Sequence, residues 1–188
     1  MTDPKLLDTA SAVEQLRAGK VIAYPTEAVY GLGCDPRNEA AAREILALKG
    51  RHAKAGFVLI ASRYSQIQPW IADIDKALVE RAMSAWPGPV TWLFPRAAQV
   101  PDFIAGNHPT VALRITAHEP SRALCDAFGS ALVSTSANPS TREPARSAAQ
   151  VAVYFGDRIA GILAGRLGDS ANPSEIRDLV SGNLIRRG

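Results

Sequence analysis

Two short polar stretches interrupt otherwise apolar runs of this chain and carry side chains that suit a phosphate site. They are Lys49 with Arg51, and the sequence Ser-Thr-Ser-Ala-Asn at 134–138. Arginine offers a planar fork of donors and lysine a mobile point charge, while small hydroxyls and an amide can hydrogen-bond phosphate or ribose oxygens. The pattern therefore favours a nucleotide ligand. Each stretch also has an ordinary structural explanation, because a basic pair often forms a solvated cap at a helix end and a Ser/Asn-rich loop often bonds its own backbone.

Basic side chains are concentrated around the first of these stretches. The net charge is only +3, but the segment 37–63 contains six basic and two acidic residues. Such a segment favours an anionic ligand. It does not distinguish a nucleotide from an RNA, or from a site that binds both.

Several motifs of other catalytic and nucleotide-binding classes are missing from the sequence. No Gly-x4-Gly-Lys-Ser/Thr phosphate loop is present, the Gly-Leu-Gly at 31–33 lacks the third glycine of a dinucleotide fingerprint, and no Gly-x-Ser-x-Gly elbow occurs. The histidines have no metal-ligand spacing and are predicted to be surface or packing residues: His52, His108 and His118. A phosphate site in this chain must therefore be built in another way.

Length and composition predict one globular domain over residues 1–188. With 47% hydrophobic and 21% charged residues the chain is close to the globular average, and no apolar run reaches the ~18 residues of a membrane span. The N-terminal sequence lacks the pattern of a secretory signal, so we expect a cytoplasmic protein that does not contact a membrane. Cys34 and Cys125 are too few for a disulfide framework and are expected to be reduced.

The alternation of short β-branched runs with helical stretches predicts an α/β (α+β) fold. Helices are predicted from a cap at Asp8 or Thr9 to residue 17, from Asn38 to Lys49, from Ser147 to Tyr154, and over 64–70, 74–85 and 120–128. Strands are predicted over 21–24, 57–60, 90–94, 111–115, 131–133, 159–163, 176–179 and 184–187, the last two as a pair. The segments 25–33 and 134–138 are predicted loops. Arg114 is a charged residue inside an apolar strand, so it lies on a wet face or meets an anion.

The motifs of this chain resemble, in type and in order, those of YrdC-like proteins. They are PTEAVYGLG at 25–33, KGR at 49–51, WPGPVT at 86–91, VALR at 111–114, STSAN at 134–138 and PSEIRD at 173–178. The resemblance covers nearly the whole chain, and its length is similar to that of the short, single-domain TsaC type. It implies a twisted, open, mixed β-sheet surrounded by helices, with a concave basic face.

The activity that the resemblance implies is threonylcarbamoyl-AMP synthase activity. L-Threonine, bicarbonate and ATP give threonylcarbamoyl-AMP and pyrophosphate, the first step in forming N6-threonylcarbamoyladenosine in ANN-decoding tRNAs. A downstream threonylcarbamoyl-transferase complex is implied as the consumer of the product. The tRNA, or another double-stranded RNA, is a further candidate partner for the basic face.

The resemblance also assigns site residues by motif match. The catalytic and nucleotide-binding set is Lys49, Arg51, Ser136 and Asn138. Further ATP contacts are expected at Ser134 and Arg186. The threonine-binding residues implied are Thr26, Arg114 and Ser174, with Arg114 as the partner of the amino-acid carboxylate.

The chemistry implied by the resemblance needs no covalent nucleophile from the protein. Bicarbonate and the threonine amine give an N-carboxy adduct whose carboxylate attacks the α-phosphate of ATP, so positioning and charge stabilisation suffice. Mg²⁺ is the expected cofactor, held through the ATP phosphates because the sequence shows no carboxylate cluster. We expect a mobile basic segment over 49–55 to close over these labile species, and His52 and the displaced Lys54 depart from the family pattern there.

Two other functions remain open from the sequence. One is a binding module whose basic face recognises double-stranded RNA or tRNA by shape and phosphate, without catalysis. The other is a carbamoyl-transfer domain like that of hydrogenase maturation factors, which the missing zinc-finger and acylphosphatase segments disfavour. Aromatic residues make up only 6% of the chain, which argues against a platform that stacks single-stranded bases.

Overall fold

A ten-stranded β-sheet forms the centre of the computed structural model, which describes residues 4–51 and 56–187. Its strands are β1 Leu6–Leu7, β2 Ile22–Pro25, β3 Tyr30–Gly33, β4 Val58–Ala61, β5 Val90–Pro95, β6 Thr110–Ile115, β7 Leu132–Ser136, β8 Ile162–Leu163, β9 Glu175–Asp178 and β10 Leu184–Arg186. They are arranged in the order β1-β8-β2-β3-β7-β4-β6-β5-β9-β10. Parallel pairs such as β4 with β6 stand beside antiparallel ones such as β2 with β3, so the predicted open mixed sheet is confirmed.

Seven α-helices surround the sheet in the described part of the chain. They are α1 Thr9–Arg17, α2 Glu39–Lys49, α3 Tyr64–Ile67, α4 Lys76–Ser84, α5 Asp102–Ala105, α6 Glu119–Phe128 and α7 Ala148–Phe155. Three begin at the predicted caps, since the side chains of Asp8, Asn38 and Ser147 accept backbone N–H hydrogen bonds at 2.8, 3.0 and 3.1 Å. These bonds satisfy donors that a helix start leaves free. None of the helices so described has the length and apolar character needed to cross a membrane.

Side chains of the central strands alternate between two hydrophobic cores. On one face, Tyr24, Ile60 and Leu132 pack with Leu16 of α1 and Leu124 of α6. The alternate strand residues face a larger core that includes α2 and α7, and they are Ala23, Leu59 and Val133. Because α1 and α6 contact β2, β4 and β8, they cover only part of the first face. The remainder of that face is free to form a concave site.

Two of the predicted loops are partly strands. The segment 25–33 contains β3, whose glycines suggested a turn but in fact let the strand approach its neighbours closely. A Cβ on Gly33 would lie 2.5 Å from Cε1 of Tyr24 and 2.6 Å from the carbonyl oxygen of Val133. The segment 134–138 begins as the end of β7, where Ser134, Thr135 and Ser136 are each half-buried. β1 and α5 were not predicted, since both are too short to show a periodic pattern.

Candidate active site

A cavity of about 510 Å³ lies on the part of the sheet face that α1 and α6 leave open. Its floor comes from strands that are adjacent in the sheet, from β3 through β7, β4, β6 and β5 to β9. Strand register explains this floor: Gly31 pairs with Ser136, and Val58 pairs with both Ser134 and Ala112, so these residues share one face. A cavity of this size is typical of small-molecule sites.

Seven of the nine residues predicted to bind ATP or threonine line this cavity. They are Thr26, Arg51, Arg114, Ser134, Ser136, Ser174 and Arg186. The fold therefore brings together segments that are up to 160 residues apart in the sequence. Lys49 and Asn138 are not part of the lining.

Two guanidinium groups, those of Arg51 and Arg186, line the same cavity. In the described residues their hydrogen bonds go to backbone carbonyls, from Arg51 to Gly56 at 3.5 Å and from Arg186 to Ser174 at 3.2 Å. Burial and then the charge of Arg186 lower the pKa of Arg51, because both effects disfavour its cation. A polyanion bound here would relieve the repulsion between the two charges. This end of the site is therefore suited to phosphates.

Lys49 lies behind the cavity wall. It ends α2, is 5% exposed, and donates to the carbonyls of Ser136 and Asn138 and to Oδ1 of Asn138 at 3.1 Å. The solvated-cap explanation is therefore wrong for this residue. Burial and then the charge of Arg51 lower the pKa of Lys49 to about 8. The Asn138 amide donates in turn to the carbonyl of Arg142 at 2.6 Å. Both residues fix the segment that follows β7, and direct contact of either with ATP stays a prediction.

The threonine-side residues present two oriented hydroxyls and a buried cation. Thr26 donates through Oγ1 to the carbonyl of Val29 at 2.7 Å, which leaves its oxygen lone pairs available. Oγ of Ser174 lies 2.9 Å from Oγ1 of Thr91. Arg114 is 6% exposed and lines the cavity from β6. The sequence left two explanations for a charge in this strand, a solvent-exposed face or contact with an anion. The burial of Arg114 excludes the first.

The anion beside Arg114 is the carboxylate of Glu27, which the sequence reasoning did not include in the site. Oε2 of Glu27 lies 3.1 Å from Nη2 of Arg114, and Oε1 accepts from Oγ1 of Thr116 at 2.6 Å. At 3.1 Å the two charged groups form an ion pair, but the angle at the N–H group is not suitable for a hydrogen bond. Among the described residues, neither Oε2 of Glu27 nor Nε of Arg114 has a hydrogen-bond partner. A carboxylate directly after Thr26 was the available sequence signal.

The three histidines have different places relative to the site. His108 is exposed, as expected, but it also lines the cavity, which no sequence pattern indicated. His118 is buried and hydrogen-bonded at both ring nitrogens, as a packing residue should be. His52 and Lys54 lie outside the described residues, so the closing segment over 49–55 stays a prediction.

Metal-binding groups are sparse in the described chain. Residues 4–51 and 56–187 contain no group of three His, Cys, Asp or Glu side chains placed to hold a metal ion. The carboxylate in the cavity lining belongs to Glu27, which Arg114 and Thr116 already contact. Mg²⁺ held by phosphate oxygens and water therefore stays a prediction. Cys34 and Cys125 are buried and free.

Most of this chain is similar to proteins of one known family. The family model for Sua5, YciO and YrdC proteins, described as "Telomere recombination", matches residues 14–188. A protein of Halorhodospira halophila named threonylcarbamoyl-AMP synthase is 51% identical over 176 residues, which cover 94% of this chain and 92% of its relative.

Solved structures of P. abyssi Sua5 share this fold. A variant of that protein superposes with a TM-score of 0.91 at 31% identity, over 100% of this chain and 60% of the longer Sua5 chain. The crystal structure of the same protein in complex with L-threonine gives a TM-score of 0.84 at 32% identity, over 90% of this chain and 50% of the other. The match thus spans 50 to 60% of the length of these Sua5 chains.

Proposed function

This chain belongs to the Sua5/YciO/YrdC family, and from that premise we propose that it catalyses the formation of threonylcarbamoyl-AMP. L-Threonine and ATP are its substrates, bicarbonate supplies the carbamoyl carbon, and pyrophosphate is released. The product serves the formation of N6-threonylcarbamoyladenosine in ANN-decoding tRNAs. We place the reaction in the cytoplasm, with a threonylcarbamoyl-transferase complex as the consumer of the product.

One structural observation carries the proposal: a phosphate-type site and an amino-acid-type site share a single cavity. Arg51 and Arg186 supply paired cations for phosphates, while Arg114 with Thr26 and Ser174 supplies a cation and hydroxyls for an amino acid. A nucleotide-binding module would need the first set alone. The Sua5 structure in complex with L-threonine supports the assignment of the second set to threonine.

The reaction follows from holding both substrates in one place. The threonine nitrogen forms a bond to the bicarbonate carbon with loss of water, which gives N-carboxythreonine. A carboxylate oxygen of this adduct then attacks the α-phosphorus of ATP, and the bond to the β-phosphate oxygen breaks. Because the nucleophile belongs to the substrate, the protein acts by positioning and by neutralising charge.

The described side chains fit these tasks. Arg51 and Arg186 neutralise the triphosphate and the departing pyrophosphate, and Ser134 and Ser136 orient the nucleotide from β7. Lys49 adds a positive charge next to Ser136, on the side away from the cavity, since its Nζ lies 3.4 Å from Oγ of that residue. Mg²⁺ bound to the phosphates would shield the remaining negative charge when ATP enters.

The proposal is tested by measuring pyrophosphate release from ATP with each substrate withheld in turn. We expect release to require both L-threonine and bicarbonate, because the nucleophile forms from them. Release at the same rate without threonine would contradict the assignment. Serine should be used less well, since one methyl group in a fitted pocket is worth roughly 1 to 3 kcal/mol. Equal turnover of serine and threonine would count against a shaped pocket.

A further inference from the structure

Glu27 and Arg114 form a buried pair of opposite charges in the cavity wall, and each has unused hydrogen-bonding capacity. Oε2 of Glu27 and Nε of Arg114 are without partners in the described chain, although the two groups approach to 3.1 Å. Buried polar atoms are nearly always satisfied, because leaving one unpaired costs roughly 1 to 3 kcal/mol. An unsatisfied donor and an unsatisfied acceptor on two paired groups of the cavity wall therefore indicate a ligand that carries both complementary groups.

The Glu27 carboxylate is held firmly in its place. Oγ1 of Thr116 donates to its Oε1 at 2.6 Å, and the same oxygen of Thr116 accepts from the backbone N–H of His118 at 3.1 Å. The backbone around Glu27 is fixed as well, because Gly168 donates to the carbonyl of Thr26 at 3.1 Å and Ser170 to that of Glu27 at 3.2 Å. Glu27 therefore keeps its position when a ligand enters.

The Arg114 guanidinium is not tied to Glu27 by a directed hydrogen bond. It can turn towards an incoming carboxylate without breaking such a bond, and the turn would uncover Oε2 of Glu27. A carboxylate would then bind Arg114, and an ammonium group one carbon away would be placed beside Oε2. An α-amino acid has this arrangement, and its binding to a charge pair leaves the net charge of the site unchanged.

We propose that Glu27 binds the α-amino group of the amino-acid substrate and makes the site selective for the zwitterion. This inference rests on the proposed function, and it adds a specificity-determining residue that contacts the nucleophilic nitrogen. Arg114 selects the carboxylate, Glu27 selects the amine, and Thr116 positions Glu27. A carboxylic acid that lacks the amine leaves Oε2 unsatisfied and is rejected.

The test is a thermodynamic cycle measured by calorimetry with two ligands and two forms of the protein. The ligands are L-threonine and 3-hydroxybutanoate, which is threonine without its amine, and the forms are the wild type and Glu27→Gln. Glutamine keeps the acceptor for Thr116 and removes the charge. We expect the wild type to prefer threonine at least tenfold and this preference to fall about tenfold in Glu27→Gln, because a charge-assisted hydrogen bond is lost.

A purely structural role for Glu27 predicts a different result. If Glu27 only positions Arg114, both ligands weaken by the same factor in Glu27→Gln and the preference is unchanged, which would overturn the proposal. Equal affinity of the wild type for the two ligands would also overturn it, and that measurement needs no variant to fold. Glu80→Gln is the matched control, since Glu80 is 67% exposed on α4, and its preference should equal that of the wild type.

The same measurements separate this proposal from the proposed function. A wild-type protein that neither binds threonine nor releases pyrophosphate in its presence contradicts the function itself. A wild-type protein that does both, with an unchanged ligand preference in Glu27→Gln, contradicts the role of Glu27 alone.

Discussion

Lys49 belongs to the predicted nucleotide-binding set, yet it does not line the cavity. Its ammonium group is buried against the carbonyls of Ser136 and Asn138. Ser136 therefore lies between this charge and the cavity. Desolvation disfavours that charge, which is why the pKa falls to about 8. The cation therefore persists at neutral pH and is lost as the pH rises through the pKa.

This pKa predicts a pH dependence of ATP binding. Between pH 7.5 and 9.5 the affinity for ATP should fall by about tenfold, because loss of one nearby cation removes ~1.4 kcal/mol of attraction to the phosphates. Titration calorimetry across this range measures the effect. Lys49→Gln should bind ATP weakly, with an affinity that does not change across this pH range. Lys20→Gln, at an exposed site, should behave as the wild type. An unchanged midpoint in Lys49→Gln would assign the titration to another group.

The strands β3 and β7 determine the shape of the site. β7 lies between β3 and β4 and carries Ser134 and Ser136 onto the cavity face. This arrangement requires close packing at Gly33 but not at Gly31, where a Cβ would meet no atom nearer than 3.5 Å. The two glycines of one strand therefore have different tolerances.

The difference gives a prediction for stability. Gly33→Ala should lower the free energy of unfolding by about 1 to 3 kcal/mol, because the new methyl group would overlap the Tyr24 ring and the Val133 carbonyl. Gly31→Ala is the matched control in the same strand and should change stability by less than about 1 kcal/mol. Urea denaturation of both variants measures these values. Equal losses would show that the close approach at Gly33 is not what limits substitution.

The sequence predicted elements best where one residue decides the structure. Asp8, Asn38 and Ser147 each signalled a helix start, since capping is local chemistry. β3 and β7 were mispredicted in part because glycine and serine disfavour strands in isolation, and only the neighbouring strands override this preference.

The residues of the site were predicted from their types, but the geometry of the site could not be predicted in this way. Arg51, Arg114 and Ser136 do reach the cavity. That Lys49 and Asn138 turn behind the wall depends on side-chain direction, which a motif does not encode.

A catalytic site and a basic RNA-binding face make different predictions for the same variants. Lys49→Ala, Arg51→Ala and Ser136→Ala should each lower adenylate formation by ~10²-fold or more if they serve one transition state. Their effects should be non-additive, because groups that act together fail together. Turnover and salt-dependent RNA affinity are measured on the same three proteins.

An RNA-binding face predicts the opposite pattern. Losing Lys49 or Arg51 would then weaken RNA binding slightly and reduce its salt slope by roughly one unit, while Ser136→Ala would have almost no effect. Normal turnover in all three variants, with RNA affinity lost in the two cationic ones, would contradict the synthase assignment.

The position of β7 between β3 and β4 also has a consequence for synthesis on the ribosome. Both neighbours precede it in the chain, ending at Gly33 and Ala61, whereas β7 ends only at Ser136. A nascent chain therefore carries two apolar strands, each with the edge that will pair with β7 still unpaired, while the intervening segment is translated. Unpaired edges recruit other strands, so a ribosome that pauses in this interval presents an aggregation-prone intermediate. We expect chaperones to bind the nascent chain most strongly there and to release it once β7 emerges.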